Sequence, residues 1–160
     1  MNKIASFTVN HLKLLTGVYI SRKDYLQNEV LTTFDLRFTK PNDEPVMDTP
    51  SIHALEHLGA TFLRNDTEWG NKVIYFGPMG CRTGFYLILI GDLEPKQIIN
   101  LLKRMLTFII EFEGQIPGAS ARDCGNFLDL NLSMAKYYAL KYLNEVILNI
   151  SEERITYPND

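Results

Sequence analysis

The sequence predicts an α+β fold, a mainly antiparallel sheet with helices packed on one face as a single pair of layers. Three observations predict it. Strand-like and helix-like stretches are mixed without a regular β-α-β order, which favours antiparallel pairing. No repeat, low-complexity tract or linker divides the 160 residues, so residues 1–160 suit one domain. A content of 46% hydrophobic and 22% charged residues is globular and rules out disorder. At this length about 70% of the unfolded surface becomes buried, so the core needs no staples.

The elements follow in order. Val30–Phe38 alternates, with Phe34, Leu36 and Phe38 on one side and Thr33, Asp35 and Arg37 on the other, and reads as a strand. No element is predicted before it. Lys40–Pro45 is a breaker-rich loop. Pro50–Asn65 reads as a helix, with Thr49 able to cap it and Pro50 suited to its first position. Val73–Phe76 and Phe85–Ile90 are apolar strands flanking the turn-rich Gly77–Gly84. Pro95 opens a helix to about Phe112, apolar on most sides and therefore buried. After a loop with Pro117, Gly118 and Gly125, a last helix runs from about Leu132 to Leu148.

Charge and cysteine usage narrow the function. With 16 Lys+Arg against 19 Asp+Glu, the chain has a formal charge of −3 and no basic cluster for nucleic acid. The longest apolar run, Phe85–Ile90, falls far short of the roughly 20 residues of a membrane span. The first residues show no signal peptide, which points to a reducing cytoplasm. There Cys81 and Cys124 are better suited to chemistry or metal binding than to a disulfide.

The informative segment is His53-Ala54-Leu55-Glu56-His57, an H-x-x-E-H motif. At about 100° per residue, His53, Glu56 and His57 fall within an arc of roughly 100°, while Leu55, Leu58 and Phe62 lie opposite. Imidazoles at i and i+4 grip one divalent cation, and the Glu between them stands close enough to act as a base. A third ligand must come from elsewhere, and Cys124 and Cys81 are both candidates. Two His and one thiolate leave a fourth position open, the catalytic pattern, and accept zinc, ferrous iron or cobalt. Cys81 sits in a Gly-flanked turn beside Arg82, where a cation or the metal would lower its pKa. Two other readings exist. In a zinc peptidase the Glu activates water. A metal-stabilised interaction domain without activity would need four protein ligands.

The chain resembles the S-ribosylhomocysteine lyase (LuxS) family at five places in order. They are Ser6-Phe7-x-x-Asn10-His11, Phe34–Phe38 with Pro41-Asn42, His53–Leu58, Pro78–Tyr86, and Ile116-Pro117 with Cys124-Gly125. The resemblance implies that His53, His57 and Cys124 hold one divalent metal per subunit, natively ferrous iron, with zinc or cobalt as substitutes. It implies Cys81 and Glu56 as acid/base groups, and Ser6, His11, Arg37 and Arg64 as substrate-binding residues. Arg64 also falls near +20° on the helix, about level with the ligand face. The implied reaction cleaves the thioether of S-ribosylhomocysteine to homocysteine and 4,5-dihydroxy-2,3-pentanedione, an autoinducer precursor. It serves quorum sensing and the methyl cycle, in a cytoplasmic homodimer with sites at the interface. Asn10, Thr39, Tyr75 and Leu130 depart from common family residues (Asp, Cys, Asp and His).

Overall fold

A computed structural model describes residues 7–158. Its sheet comprises β1 (Gly17–Leu26), β2 (Glu29–Arg37), β3 (Val73–Pro78) and β4 (Gly84–Ile90). The order is β1-β2-β4-β3, and each pairing is antiparallel. Helices α1 (Thr49–Asn65), α2 (Pro95–Glu111) and α3 (Leu132–Glu145) complete the regular structure.

The alternation along β2 sorts the sheet's two faces. Phe34 stands opposite Ile20 and Leu87, and Leu36 opposite Val18 and Phe85. These side chains join one apolar core with Leu55 and Leu58 of α1, Ile98, Leu102 and Met105 of α2, and Ala135, Ala139 and Tyr142 of α3. Each fully buried Leu or Phe contributes about 1.5–3 kcal/mol. The approach of α1 to β3 is close enough that a Cβ on Gly59 would come within 2.5 Å of the Phe76 ring. That contact explains a glycine in mid-helix despite its cost in propensity.

The second face is closed by the chain's end. Asp35 pairs with Tyr19 on one side and Tyr86 on the other. Tyr157 stacks on Tyr19 with ring centroids 4.8 Å apart, and Arg154 donates to the carbonyl and hydroxyl of Thr16. Under this cover Asp35 is 1% exposed and Arg37 4%. Their face of the strand is therefore a buried ion pair, not a solvated surface.

Besides one- or two-residue shifts at strand and helix ends, the structure differs from the sequence reading in one cap, one helix end and one strand. The cap of α1 is Asp48, whose carboxylate accepts from the Ser51 N–H, while Thr49 is already helical. The last helix stops at Glu145, where the cap residue Val146 has a φ of −117°, and Ile147–Asn149 turns separately as a short 3-10 segment. β1 went unpredicted because only its first residues are fully buried and its centre carries Arg22, Lys23 and Asp24. It is an edge strand with an irregularity between Ile20 and Arg22, so its apolar alternation breaks.

Candidate metal centre and thiol pocket

The half-buried flank of α1 and the loop of residues 113–131 build a candidate metal centre. Leu55 and Leu58 are buried, as the helical spacing requires, which leaves His53, Glu56 and His57 facing away from the core. The His53 Nδ1 lies 2.9 Å from the Asp129 carbonyl and the His57 Nδ1 lies 2.7 Å from that of Pro117. A carbonyl can only accept, so each Nδ1 carries the proton and each Nε2 keeps its lone pair for a ligand. The loop fits closely here. Gly118 has φ +74°, and a Cβ on it would meet the His57 Nδ1 at 3.2 Å.

Cys124 completes the cluster from the same loop. Its Sγ lies 3.3 Å from the His53 Nε2 and accepts from the Asn126 N–H at 3.4 Å. The donor atoms of His53, His57 and Cys124 all fall within 4.8 Å of one another. Two oriented imidazoles and one sulfur at this spacing fit a divalent metal with three protein ligands. The Glu56 carboxylate is 3.9 Å from the His57 Nε2, the nitrogen that would hold such an ion.

A separate thiol pocket lies at the β3–β4 turn, where the register places Arg37 opposite Gly84. A Cβ on Gly84 would fall 2.2 Å from the Leu36 carbonyl, so this strand crossing requires glycine. The turn lines a cavity of about 270 Å³ together with His11, Asp35, Arg37, Tyr86 and Tyr157. Cys81 Sγ lies 3.1 Å from the Thr83 hydroxyl and 3.8 Å from Arg37 Nη1, which itself donates to Thr83 at 2.6 Å. Burial pushes this thiol up, but the Thr83 hydrogen bonds and the Arg37 charge outweigh it and hold the thiol below its ordinary value. The acting cation is thus Arg37 from the adjacent strand. Arg82, next to Cys81 in sequence, instead lowers the carboxyl of the cap residue Asp48.

The remaining expected residues are dispersed. His11 lines the thiol cavity, with its Nδ1 2.8 Å from the Val9 carbonyl. Arg64 donates to the Val73 and Ile74 carbonyls at 3.1 and 3.0 Å, so its guanidinium is engaged at the start of β3. Ser6 lies outside the described residues. None of the metal-cluster residues lines the thiol cavity. Sequence reasoning missed the carbonyls of Pro117 and Asp129, which no residue type can signal. It also missed the Asp35–Arg37–Tyr157 network behind Cys81, whose parts lie about 120 residues apart.

No helix among the described residues is long and apolar enough to cross a membrane. Comparison with known proteins identifies the family. The profile of the S-Ribosylhomocysteinase (LuxS) family matches residues 4–153. An S-ribosylhomocysteine lyase of Finegoldia magna is 66% identical over 158 residues, 99% of each chain. Those of Clostridium beijerinckii and Clostridium acetobutylicum are 62% and 60% identical over 99% of this chain and at least 99% of their own. With the family profile matched over residues 4–153 and relatives this similar over nearly the full length, the chain belongs to the S-ribosylhomocysteinase (LuxS) family.

Proposed function

We propose that the chain is an S-ribosylhomocysteine lyase, a carbon–sulfur lyase that releases homocysteine and 4,5-dihydroxy-2,3-pentanedione. The observation that carries this reading is the division of labour between its two sulfurs. Cys124 sits among candidate metal donors, while Cys81 lies in a separate cavity where Thr83 and Arg37 hold its thiol below the ordinary value. Close relatives bearing the lyase name support it.

The chemistry explains why both are needed. The carbonyl of the opened sugar must move from C1 to C2 and then to C3, where it lies β to the sulfur. Each move removes a proton from one carbon and returns one to its neighbour. A final proton loss at C4 then expels the homocysteine thiolate from C5, which ends protonated, and the enol left at C4–C5 tautomerises to the diketone, so atoms balance without an added reactant. In this reading His53, His57 and Cys124 hold one divalent cation, natively ferrous iron with zinc or cobalt as substitutes. When bound, that cation supplies the Lewis acidity that makes the sugar carbons acidic. Cys81 and Glu56 take and return the protons. Ser6, His11, Arg37 and Arg64 bind or orient the substrate.

The full reading is a cytoplasmic homodimer of one-domain, two-layer subunits, with sites at the interface. Ser6, His11 and Cys81 of one subunit serve the metal held mainly by the other. Support comes from the separation of the thiol cavity from the metal cluster within one chain. Exposed Phe7, Leu12 and Leu128 offer apolar surface for a second copy to cover. The product then feeds quorum sensing and the methyl cycle.

Thiol release from S-ribosylhomocysteine, followed with a chromogenic disulfide, tests the reaction. Stoichiometric thiol is expected. Peptide hydrolysis without thiol release would instead establish the zinc-peptidase reading. Metal binding with neither activity would leave the interaction domain.

A further inference from the structure

We propose that Tyr157 is a positioning residue for Cys81, acting through a relay in which its hydroxyl holds Asp35 and Asp35 aims Arg37 at the thiol. The relay rests on the reading of Cys81 as an acid/base group. It adds a residue beyond every motif that marks the family in this sequence.

Each link is a direct contact. The Tyr157 hydroxyl donates to Asp35 Oδ2 at 2.8 Å. That carboxylate accepts from Arg37 through both oxygens, from Nη2 at 2.5 Å and from Nε at 3.1 Å. The two contacts fix the guanidinium plane and leave Nη1 turned to Thr83 and to the Cys81 sulfur. Because Asp35 and Arg37 are buried, these interactions act at low local dielectric.

The far end is anchored independently of the Cys81 turn. The ring of Tyr157 stacks on Tyr19 with planes 12° apart. The Tyr19 hydroxyl lies 3.0 Å from the Leu15 carbonyl and 3.2 Å from that of Glu153. Gly17 permits the approach, since a Cβ there would fall 2.3 Å from the Arg154 carbonyl. Burial raises the Tyr157 phenol, and the charge and hydrogen bond of Asp35 raise it further, so it remains a donor through neutral pH.

The sign of the effect follows from charge. The titratable and charged groups lining the thiol cavity are His11, Asp35, Arg37, Tyr86 and Tyr157, with Arg82 adjacent in the turn. Asp35 is the one carboxylate among those described. A hydrogen bond from Tyr157 draws its negative charge away from Arg37, leaving more of the guanidinium's charge for the sulfur. Without that donor, Asp35 neutralises Arg37 more completely and the thiolate loses support.

The test is the pH dependence of iodoacetamide alkylation in the metal-loaded full chain, read by mass spectrometry on the Cys81 peptide. Tyr157→Phe keeps the ring stack and removes only the donor. Its midpoint should rise by about half to one pH unit. Below the midpoint the rate should fall about two- to threefold, the loss of thiolate fraction being partly offset by the greater nucleophilicity of a more basic thiolate. Ending the chain after Thr156 should reproduce the rise. Asp35→Asn should move the midpoint down, since Arg37 then faces the sulfur uncompensated. A packing role alone would lower Tm and leave the midpoint in place, and an unchanged midpoint in Tyr157→Phe overturns the relay. A shifted midpoint in a protein that releases no thiol from S-ribosylhomocysteine would leave the relay standing and overturn the lyase reading.

Discussion

Cys81 and Cys124 are one residue type given different duties by their neighbours. Cys124 has an imidazole nitrogen and a backbone N–H beside its sulfur, the surroundings of a metal ligand. Cys81 has a hydroxyl and a guanidinium, which favour a free thiolate. Cys81→Ala should therefore keep its metal and lose thiol release by at least about a hundredfold. Cys124→Ala should instead lose metal, measured by elemental analysis after dialysis; exchanged outcomes would reverse the two assignments. A third residue makes a prediction of stability alone. Thr39 is buried, and its hydroxyl finds no hydrogen-bond partner among the described residues. Thr39→Val removes that unmet group and should raise stability by about 1 kcal/mol in urea unfolding.

Helix α1 carries two of the three candidate metal donors, so its register and its cap matter to the proposed site. Burial pushes the Asp48 carboxyl up, but hydrogen bonds from the Ser51 hydroxyl and N–H outweigh this and hold it below its ordinary value. A depressed carboxyl stabilises the fold above its ordinary titration range and loses that contribution as pH falls through its folded value. Asp48→Ala should cost about 1 kcal/mol at neutral pH, and the difference from the parent chain should shrink on acidification. Denaturant melts at two pH values check this; a constant difference would mean that the cap does not act through its charge. The helix itself was legible because its apolar and ligand positions follow one period. Its cap was misplaced by one residue, since Asp48 and Thr49 are both competent and backbone geometry alone decides. The edge strand β1 was illegible for a different reason. Solvent faces much of its outer half, so no alternation is enforced there.

At the scale of the molecule, the sheet separates two kinds of burial. One face meets the helices in an apolar core, and the other places an ion pair beneath the chain's end. The sequence made the first legible through Phe34, Leu36 and Phe38. It could not show the second, because nothing in local spacing links Asp35 to Tyr157. The His53–His57 pair was legible in the same way, whereas the choice of Cys124 over Cys81 needed either the family resemblance or the fold. The proposed homodimer with sites at its interface also predicts the behaviour of mixed dimers. Cys81→Ala and Cys124→Ala chains, each inactive alone, should regain about a quarter of the parent activity when unfolded and refolded together in equal amounts with metal. Half of the dimers are then hybrid, with one intact site of two. No recovery would place the whole site within a single chain.

The most direct measurement titrates ferrous iron anaerobically into metal-free protein while thiol release from S-ribosylhomocysteine is recorded. Activity should rise linearly and level off at about one ion per chain, as a single three-donor cluster requires. Thiol release at full rate without added metal, or none at any loading, would contradict the account.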